Sequence, residues 1–236
     1  MLLDTYIISP VDAHVAVTDN VDMAIRAYAD PNVNTVLMPS PLAGLFDAAA
    51  REMCAPEIDL CAPFLERLRP WDMHGFKGLS SAQQDLIIQI KHKEDILSEI
   101  FGAVAGCGSY IDSLKYVPTR RSVYRTAIPH IDECDSHMTA TLIGQRGTLL
   151  YFKDFTDIPE SAFKNGEVQI KSHEVIETNP NHLCFIKGTD HADVIANPAM
   201  GARWHSTPVV TSAQEARLAN FFALRNGLGC APSIYG

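Results

Sequence analysis

The chain has 236 residues, 47% of them hydrophobic and 20% charged, which is enough to bury a sizeable core and is typical of an ordinary globular protein. The formal net charge is −9 and no cluster of Lys and Arg is present, which argues against nucleic acid as a main partner. There is no run of about 18 apolar residues and no signal-peptide pattern, so we expect a cytoplasmic protein without a membrane segment.

The first half of the chain, residues 1–115, has mainly helical periodicity. The stretch Asp22–Tyr28 fits either a strand or a short helix, whereas apolar residues recur at helical spacing over 42–54, 58–69 and 80–105. Ser80 or Ser81 can cap the last of these helices. We find no phosphate loop or nucleophile motif here, so we expect a mainly helical layer packed on the second half of the chain.

From residue 116 onward the periodicity becomes strand-like. Turns rich in Gly, Asn and Pro separate seven predicted strands, at 122–130, 138–143, 147–152, 167–171, 182–187, 202–207 and 216–224. Short strands at this spacing suggest a double-layered jelly roll whose open end can hold a ligand. The predicted fold class is therefore α+β, with a double-stranded β-helix (jelly-roll) barrel over residues 116–236.

The cysteines carry little functional signal. None of the six is in a CxxC pair, so neither a zinc knuckle nor a disulfide framework is indicated, and we expect mostly buried, reduced thiols. Cys134 and His137 lie close in sequence to Asp132, but no flanking spacing supports a closed four-ligand zinc site.

The strongest chemical signal is the triplet His130-Ile131-Asp132, together with the later His205. Residues two apart in a strand point the same way, so the imidazole of His130 and the carboxylate of Asp132 would meet at a common point. His205, on a later predicted strand, is the candidate third ligand. Two histidines and one carboxylate leave open positions on a metal, as in non-haem Fe(II) oxygenases. The competing interpretation is a hydrogen-bonded pair at a strand end.

Other residues would line the same site if the strand alternation holds. Tyr124 and Thr126 would share the inward face with His130 and are candidates for the pocket, although plain β-propensity explains them equally well. Arg203 would face inward with His205 by the same argument. The polar run from Lys187 to His191 follows a predicted strand and is a weaker candidate for substrate contact.

These motifs resemble those of the Fe(II)/2-oxoglutarate-dependent oxygenase superfamily, which has an HxD, a later His, and a basic residue on the last barrel strand. The matching residues here are His130, Asp132, His205 and Arg217. More narrowly, residues 120–225 resemble an uncharacterised bacterial family with TxxGxxGT, LLKG and HRSP-like motifs. The corresponding stretches are Thr141 to Thr148, Phe185-Ile186-Lys187-Gly188, and His205-Ser206-Thr207-Pro208, where Ser206 replaces the family arginine.

The resemblance implies a function and a set of roles. His130, Asp132 and His205 would hold Fe(II), and 2-oxoglutarate would be the co-substrate, its distal carboxylate meeting Arg217, with Arg203 and Lys187 as the other candidates. Tyr124 and Thr126 would contribute to the same pocket. The substrate would be a small molecule or an amino acid or peptide, and the resemblance does not identify it.

Two other classes of protein fit the same residues. A metal-binding cupin-like protein without 2-oxoglutarate turnover, such as a zinc hydrolase, isomerase or sensor, also uses a His/His/Asp site. A non-catalytic barrel would make the triad accidental. Arg217 separates the first alternative from an oxygenase, because a zinc hydrolase has no need of a carboxylate anchor on the last strand.

Overall fold

The computed structural model describes residues 7–9, 12–46, 81–106, 111–117, 128–208 and 217–224. The α-helices of this part are α1 (Val21–Tyr28), α2 (Ser81–Ala105), α3 (Glu160–Lys164) and α4 (Ala192–Ala196). Its strands are β1 (Ile7–Ile8), β2 (Val15–Val17), β3 (Thr35–Pro39), β4 (Ile111–Val117), β5 (Ser136–Ile143), β6 (Leu149–Tyr151), β7 (Val175–Glu177), β8 (His182–Lys187), β9 (His205–Ser206) and β10 (Arg217–Leu224).

The strands form two sheets that face each other. A seven-stranded sheet has the order β1-β2-β3-β8-β5-β10-β4, and a three-stranded sheet has the order β7-β6-β9. A cluster of buried apolar side chains joins the sheets: Val15, Leu37, Leu150, Cys184 and Ile186. This two-layered, sheet-rich architecture agrees with the predicted jelly-roll class, while closure of the sheets into a barrel remains a prediction.

The central strand β8 shows why both faces of the large sheet are covered. Successive side chains in a strand point to opposite faces. Leu183 and Phe185 therefore belong to the cluster that packs under the helices, whereas Cys184 and Ile186 belong to the cluster between the sheets. A strand buried on both sides reads as a continuous apolar run, and the predicted strand 182–187 is confirmed residue for residue.

Helices α1 and α2 cover the outer face of the large sheet, through Ala24, Ala27, Leu97 and Phe101. The side chain of Asn20 caps α1 by accepting a hydrogen bond from the Met23 N–H at 2.9 Å, so the ambiguous stretch is a helix. Helix α2 confirms the long helix predicted over 80–105. None of the helices in the described ranges is long and apolar enough to cross a membrane.

The N-terminal region is not purely a helical layer. Strands β1, β2 and β3 lie in the same sheet as β8 and β5, so this region contributes to both the sheet and its cover. The division of the chain at residues 115 and 116 remains a prediction. The predicted helix 58–69 and residues 47–54 of the preceding one fall outside the described residues, and 41–46 form turns.

Most of the strands predicted in the second half are present. β5, β6 and β10 confirm 138–143, 147–152 and 216–224 to within a few residues, and β9 occupies only the centre of 202–207. The strand predicted at 167–171 is wrong: these residues form no strand with the described part of the chain, and the strand forms instead at β7. The alternation that suggested it reflects a partly exposed extended segment. Residues 122–127 lie outside the described residues.

The turn between β5 and β6 carries the chain from the large sheet to the small one. Gly144 has φ of 115°, a conformation that side chains with a Cβ rarely adopt. At Gly147 a Cβ would overlap the carbonyl oxygen of Thr178, so the backbones there approach closely. Steric constraints thus explain why both positions of the TxxGxxGT motif are glycine, and neither residue belongs to the candidate site.

Candidate metal centre

A backbone bridge brings the two candidate histidine ligands together. The His130 N–H donates to the His205 carbonyl and the His205 N–H donates to the His130 carbonyl, both at 3.0 Å. This reciprocal pair extends the small sheet beyond β9 and places the two imidazoles on one side, with ring centroids 4.5 Å apart. Asp132 follows His130 by two residues and points to the same place.

The spacing of the three side chains suits a metal ion. His130 Nε2 lies 3.9 Å from Asp132 Oδ1, and His205 Nε2 lies 3.4 Å from Asp132 Oδ2. Atoms that bind one metal at about 2.1 Å lie roughly 3.0–3.4 Å apart at tetrahedral or octahedral angles, so small side-chain movements would complete the site. Within the described residues, this is the one group of His, Cys, Asp or Glu with metal-ligand spacing.

Both histidines are held in the tautomer that a metal requires. His130 Nδ1 lies 2.7 Å from the Ile128 carbonyl oxygen, and His205 Nδ1 lies 3.1 Å from the Arg203 carbonyl oxygen. A carbonyl only accepts hydrogen bonds, so each Nδ1 carries a proton, and Nε2 is the ring nitrogen that each histidine would offer to a metal. Such hydrogen bonds orient metal-binding imidazoles.

Asp132 is a half-buried carboxylate whose buried oxygen lacks a compensating hydrogen bond. Its Oδ2 atom makes none with the described residues, a costly state unless a cation satisfies it. Burial alone would raise the pKa of Asp132, but the surrounding histidines, His137 first, outweigh burial and hold this pKa well below its usual range. The carboxylate is therefore ionised and ready to bind a cation.

The segment after β8 supports the loop that carries Asp132. Backbone N–H groups of Gly188, Thr189 and Asp190 donate to carbonyls within residues 132–135, at 2.9 to 3.2 Å. Gly188 lies so close that a Cβ there would overlap the Cys134 carbonyl oxygen and lie 2.8 Å from that of Asp132. The glycine of the LLKG-like motif thus has a direct steric link to the candidate site.

His137 is a further histidine at the site, which sequence reasoning considered only as a possible zinc ligand and set aside for lack of supporting spacing. It is fully buried at the start of β5, and its Nδ1 lies 3.5 Å from Asp132 Oδ2. It also stacks on Phe221 and lies 3.7 Å from the Cys134 sulfur, within hydrogen-bonding range for sulfur. Its odd spacing from Asp132 hid it, because the chain turns between them instead of continuing as a strand.

The other predicted site residues are distributed differently. Arg203 is buried, and its guanidinium is already paired with Asp12 at 2.8 Å and bonded to the Tyr151 carbonyl and Asn34. Arg217 begins β10, and only its backbone is described. Tyr124 and Thr126 lie outside the described residues.

Lys187, a weaker candidate for substrate contact, is fully buried at the end of β8. Its ammonium group donates to Asp193 at 2.6 Å and to the Asp30 carbonyl at 2.9 Å. It also lies 5.2 Å from the centre of the Tyr28 ring. Lys187 therefore ties α4 and the end of α1 to the sheet, which is a structural role.

Three solved structures resemble the chain over most of its length. A C-terminally truncated protein of Neurospora crassa in apo form has 14% identity and a TM-score of 0.44, and the match covers 91% of this chain and 96% of that one. The full-length Neurospora crassa protein in complex with alpha-KG and thymine has 12% identity and a TM-score of 0.43, with coverage of 92% and 85%. The rice dioxygenase for auxin oxidation has 12% identity and a TM-score of 0.43, with coverage of 87% and 78%.

No family model and no curated protein matches the sequence. Structural similarity at these identities and TM-scores does not establish an activity. The function must therefore be inferred from the residues of the candidate metal centre itself.

Proposed function

We propose that the chain is an Fe(II)- and 2-oxoglutarate-dependent oxygenase that oxidises, most simply hydroxylates, a small organic substrate. One observation carries the proposal: His130, Asp132 and His205 converge within 4.8 Å of one another around a carboxylate oxygen that has no hydrogen bond among the described residues. Two imidazoles and one carboxylate bound on one side of a metal leave the opposite positions open for other ligands.

The residues of the site fit Fe(II) in chemical type. Neutral imidazole nitrogens and an ionised carboxylate form a donor set typical of non-haem iron, whereas a structural zinc site takes four protein ligands and no open position. Together with 2-oxoglutarate and dioxygen, the iron would supply the oxidation of a substrate C–H bond coupled to decarboxylation. The protein would orient these partners and exclude bulk water.

Arg217 is the proposed anchor for the distal carboxylate of 2-oxoglutarate. It begins β10, whose other end pairs with β5 so that Ala223 lies opposite His137. A diacid bound at the triad would lie along the first part of β5, near Thr139, and the long side chain of Arg217 would have to reach toward it from the other end of the strand pair. A guanidinium grips a carboxylate in two-pronged fashion. Arg203 is less suited, because Asp12 already occupies its guanidinium.

The first experiment measures metal binding by the apoprotein. Fe(II) under anaerobic conditions, or Co(II) as a spectroscopic substitute, is titrated into the wild type, His130→Ala and His205→Ala, with circular dichroism to confirm folding. Each variant should lose stoichiometric binding, whereas His173→Ala, which removes an exposed histidine outside the triad, should not. Unchanged affinity in His205→Ala would refute the ligand assignment.

The second experiment measures 2-oxoglutarate affinity of the Fe(II)-loaded protein without oxygen. Arg217→Ala should weaken binding by about 2–5 kcal/mol, the effect of losing one partner of a buried charged pair. Arg217→Lys serves as the conservative variant and Arg203→Ala as the competing site. A wild type that binds metal but no 2-oxoglutarate would make the chain a metal protein of another kind.

A further inference from the structure

A cavity of about 310 Å³ lies directly against His130. Apolar side chains form most of its wall: Ile128, Ile131, Ile158, Phe163 and Trp204. Ile131 and Glu133 flank Asp132 in sequence, and both contribute to the lining. A molecule in this cavity would therefore touch the residues that surround the candidate metal position.

The aromatic part of the wall is held in place by neighbouring rings. Phe155 contacts both Phe163 and Trp204 edge to face, with centroid distances of 5.4 Å in each case, and Phe155 is itself buried. Packing of this kind limits ring movement, so the cavity keeps its shape without a ligand. Its volume is at the low end for small-molecule sites, which fits a single-ring compound and excludes a folded polypeptide segment.

The cavity is lined by two acidic side chains. Glu133 and Glu160 are in the lining, and no Lys or Arg is present in it among the described residues. Glu160 forms an exposed ion pair with Lys164 at 2.7 Å, so its charge is largely balanced. Glu133 lies at the surface next to Asp132, where its carboxylate would repel an anion and attract a cation.

We propose that this cavity is the substrate site, and that it takes a small compound with a ring-sized apolar body and no negative charge. The inference rests on the proposed oxygenase function, because the cavity borders the metal ligand His130. Under this proposal the two organic molecules of the reaction bind in different places. The dianionic 2-oxoglutarate would extend along β5 and β10, and the substrate would enter from the side of α3.

Three probes with the same body and different charge test the proposal: 2-phenylethanol, 2-phenylethylamine and phenylacetate. Ligand-observed NMR with the wild type measures binding at millimolar concentration. Trp204 fluorescence reports the location in Trp71→Phe, where Trp204 is the sole tryptophan. The alcohol and the amine should bind, and phenylacetate should bind about tenfold more weakly because of the nearby carboxylates.

Variants of the lining test whether the probes occupy this cavity. Ile158→Ala and Phe163→Ala should each weaken binding of the alcohol and the amine by about tenfold, since each removes apolar contact area. Ile195→Ala, which shortens an exposed isoleucine outside the cavity, is the matched control and should have no effect. Glu133→Gln should reduce the difference in affinity between the amine and phenylacetate, because it removes a negative charge from the lining.

Several results would overturn the proposal. These are binding of none of the three probes, strongest binding of phenylacetate, unchanged binding in both lining variants, or displacement of the probes by 2-oxoglutarate. Failure of the oxygenase function is a separate outcome, because the metal and 2-oxoglutarate titrations on the same proteins need no probe. Ile158→Ala and Phe163→Ala should leave those titrations unchanged.

Discussion

The two faces of the large sheet differ in what they bury. On β5, Met138, Ala140 and Leu142 point toward the helices, and all three are apolar and buried. The alternate positions His137, Thr139 and Thr141 are polar, and His137 touches Asp132. Along β5, one face is thus part of a conventional core, while the other begins with polar groups that are costly to bury.

This difference shows how the chain maintains a buried cluster of ionisable groups. Each large apolar side chain buried on the helix side contributes about 1.5–3 kcal/mol. Burying a polar group without a partner costs a similar amount, and a charged one costs more. The apolar core on the helix side of the sheet therefore offsets the cost of holding Asp132 and its three neighbouring histidines on the opposite side. Mutations on the two faces should have separable effects.

The largest effect on stability should come from Phe222→Ala on the helix-facing side of β10. Phe222 is fully buried and contacts Phe101 of α2, with ring centroids 5.9 Å apart. Truncating it should lower the free energy of unfolding by about 3–5 kcal/mol, measured by urea denaturation. The metal affinity of the folded fraction should not change. A large loss of metal affinity would mean that the two faces are not independent.

A smaller effect is expected at a polar pair near the small sheet, Asp12 and Arg203. Burial alone would raise the pKa of Asp12, but the hydrogen bond and charge of Arg203 lower it overall. A lowered folded pKa means that the carboxylate stabilises the protein above the usual Asp range and that this contribution is lost as pH falls through the folded value. Asp12→Asn should cost about 1.5–3 kcal/mol at neutral pH, the range for a hydrogen bond to a charged group.

The pH dependence distinguishes this pair from a general effect of substitution. The stability difference between the wild type and Asp12→Asn, measured by denaturation at a series of pH values, should shrink in the acid range. Asp157→Asn, which changes an exposed aspartate, is the control. A difference that stays constant down to acid pH would show that the Asp12 charge does not contribute.

The features that could be predicted from the sequence are those whose pattern lies within one short segment of the chain. β8 and α2 were predictable because a continuous apolar run and a long apolar stripe are determined within their own segments. The meeting of His130 with His205 was anticipated from an HxD and a later histidine on a strand. The roles of Lys187 and His137 were not, because both arise from contacts with distant or turned segments.

Gly188 follows β8 and lies against the segment that carries Asp132, so a substitution there should affect both stability and the candidate metal site. Gly188→Ala would force a Cβ against the backbone of Cys134, so the loop carrying Asp132 must shift. We expect a loss of about 1–3 kcal/mol in stability, as for other overpacked sites, and a measurable loss of metal affinity. Gly166→Ala provides a control, since a Cβ there meets no atom within 4 Å, although its positive φ adds some strain. Unchanged metal affinity in Gly188→Ala would show that the loop tolerates the shift.

The smallest effect should come from His137, which we expect to position Asp132 without binding the metal. Its Nδ1 lies 3.5 Å from Asp132 Oδ2, and its ring is wedged between Phe221 and His205, with centroid distances of 5.5 and 4.7 Å. His137→Phe keeps a ring of similar shape but removes the polar contact. Groups that orient metal ligands typically contribute 10–100-fold in metal affinity, and we expect a loss of about this size. His137→Gln, which can still donate to the carboxylate, should recover part of it. Complete loss of metal binding in His137→Phe, as expected for His205→Ala, would make His137 a ligand, and no loss would make it a packing residue.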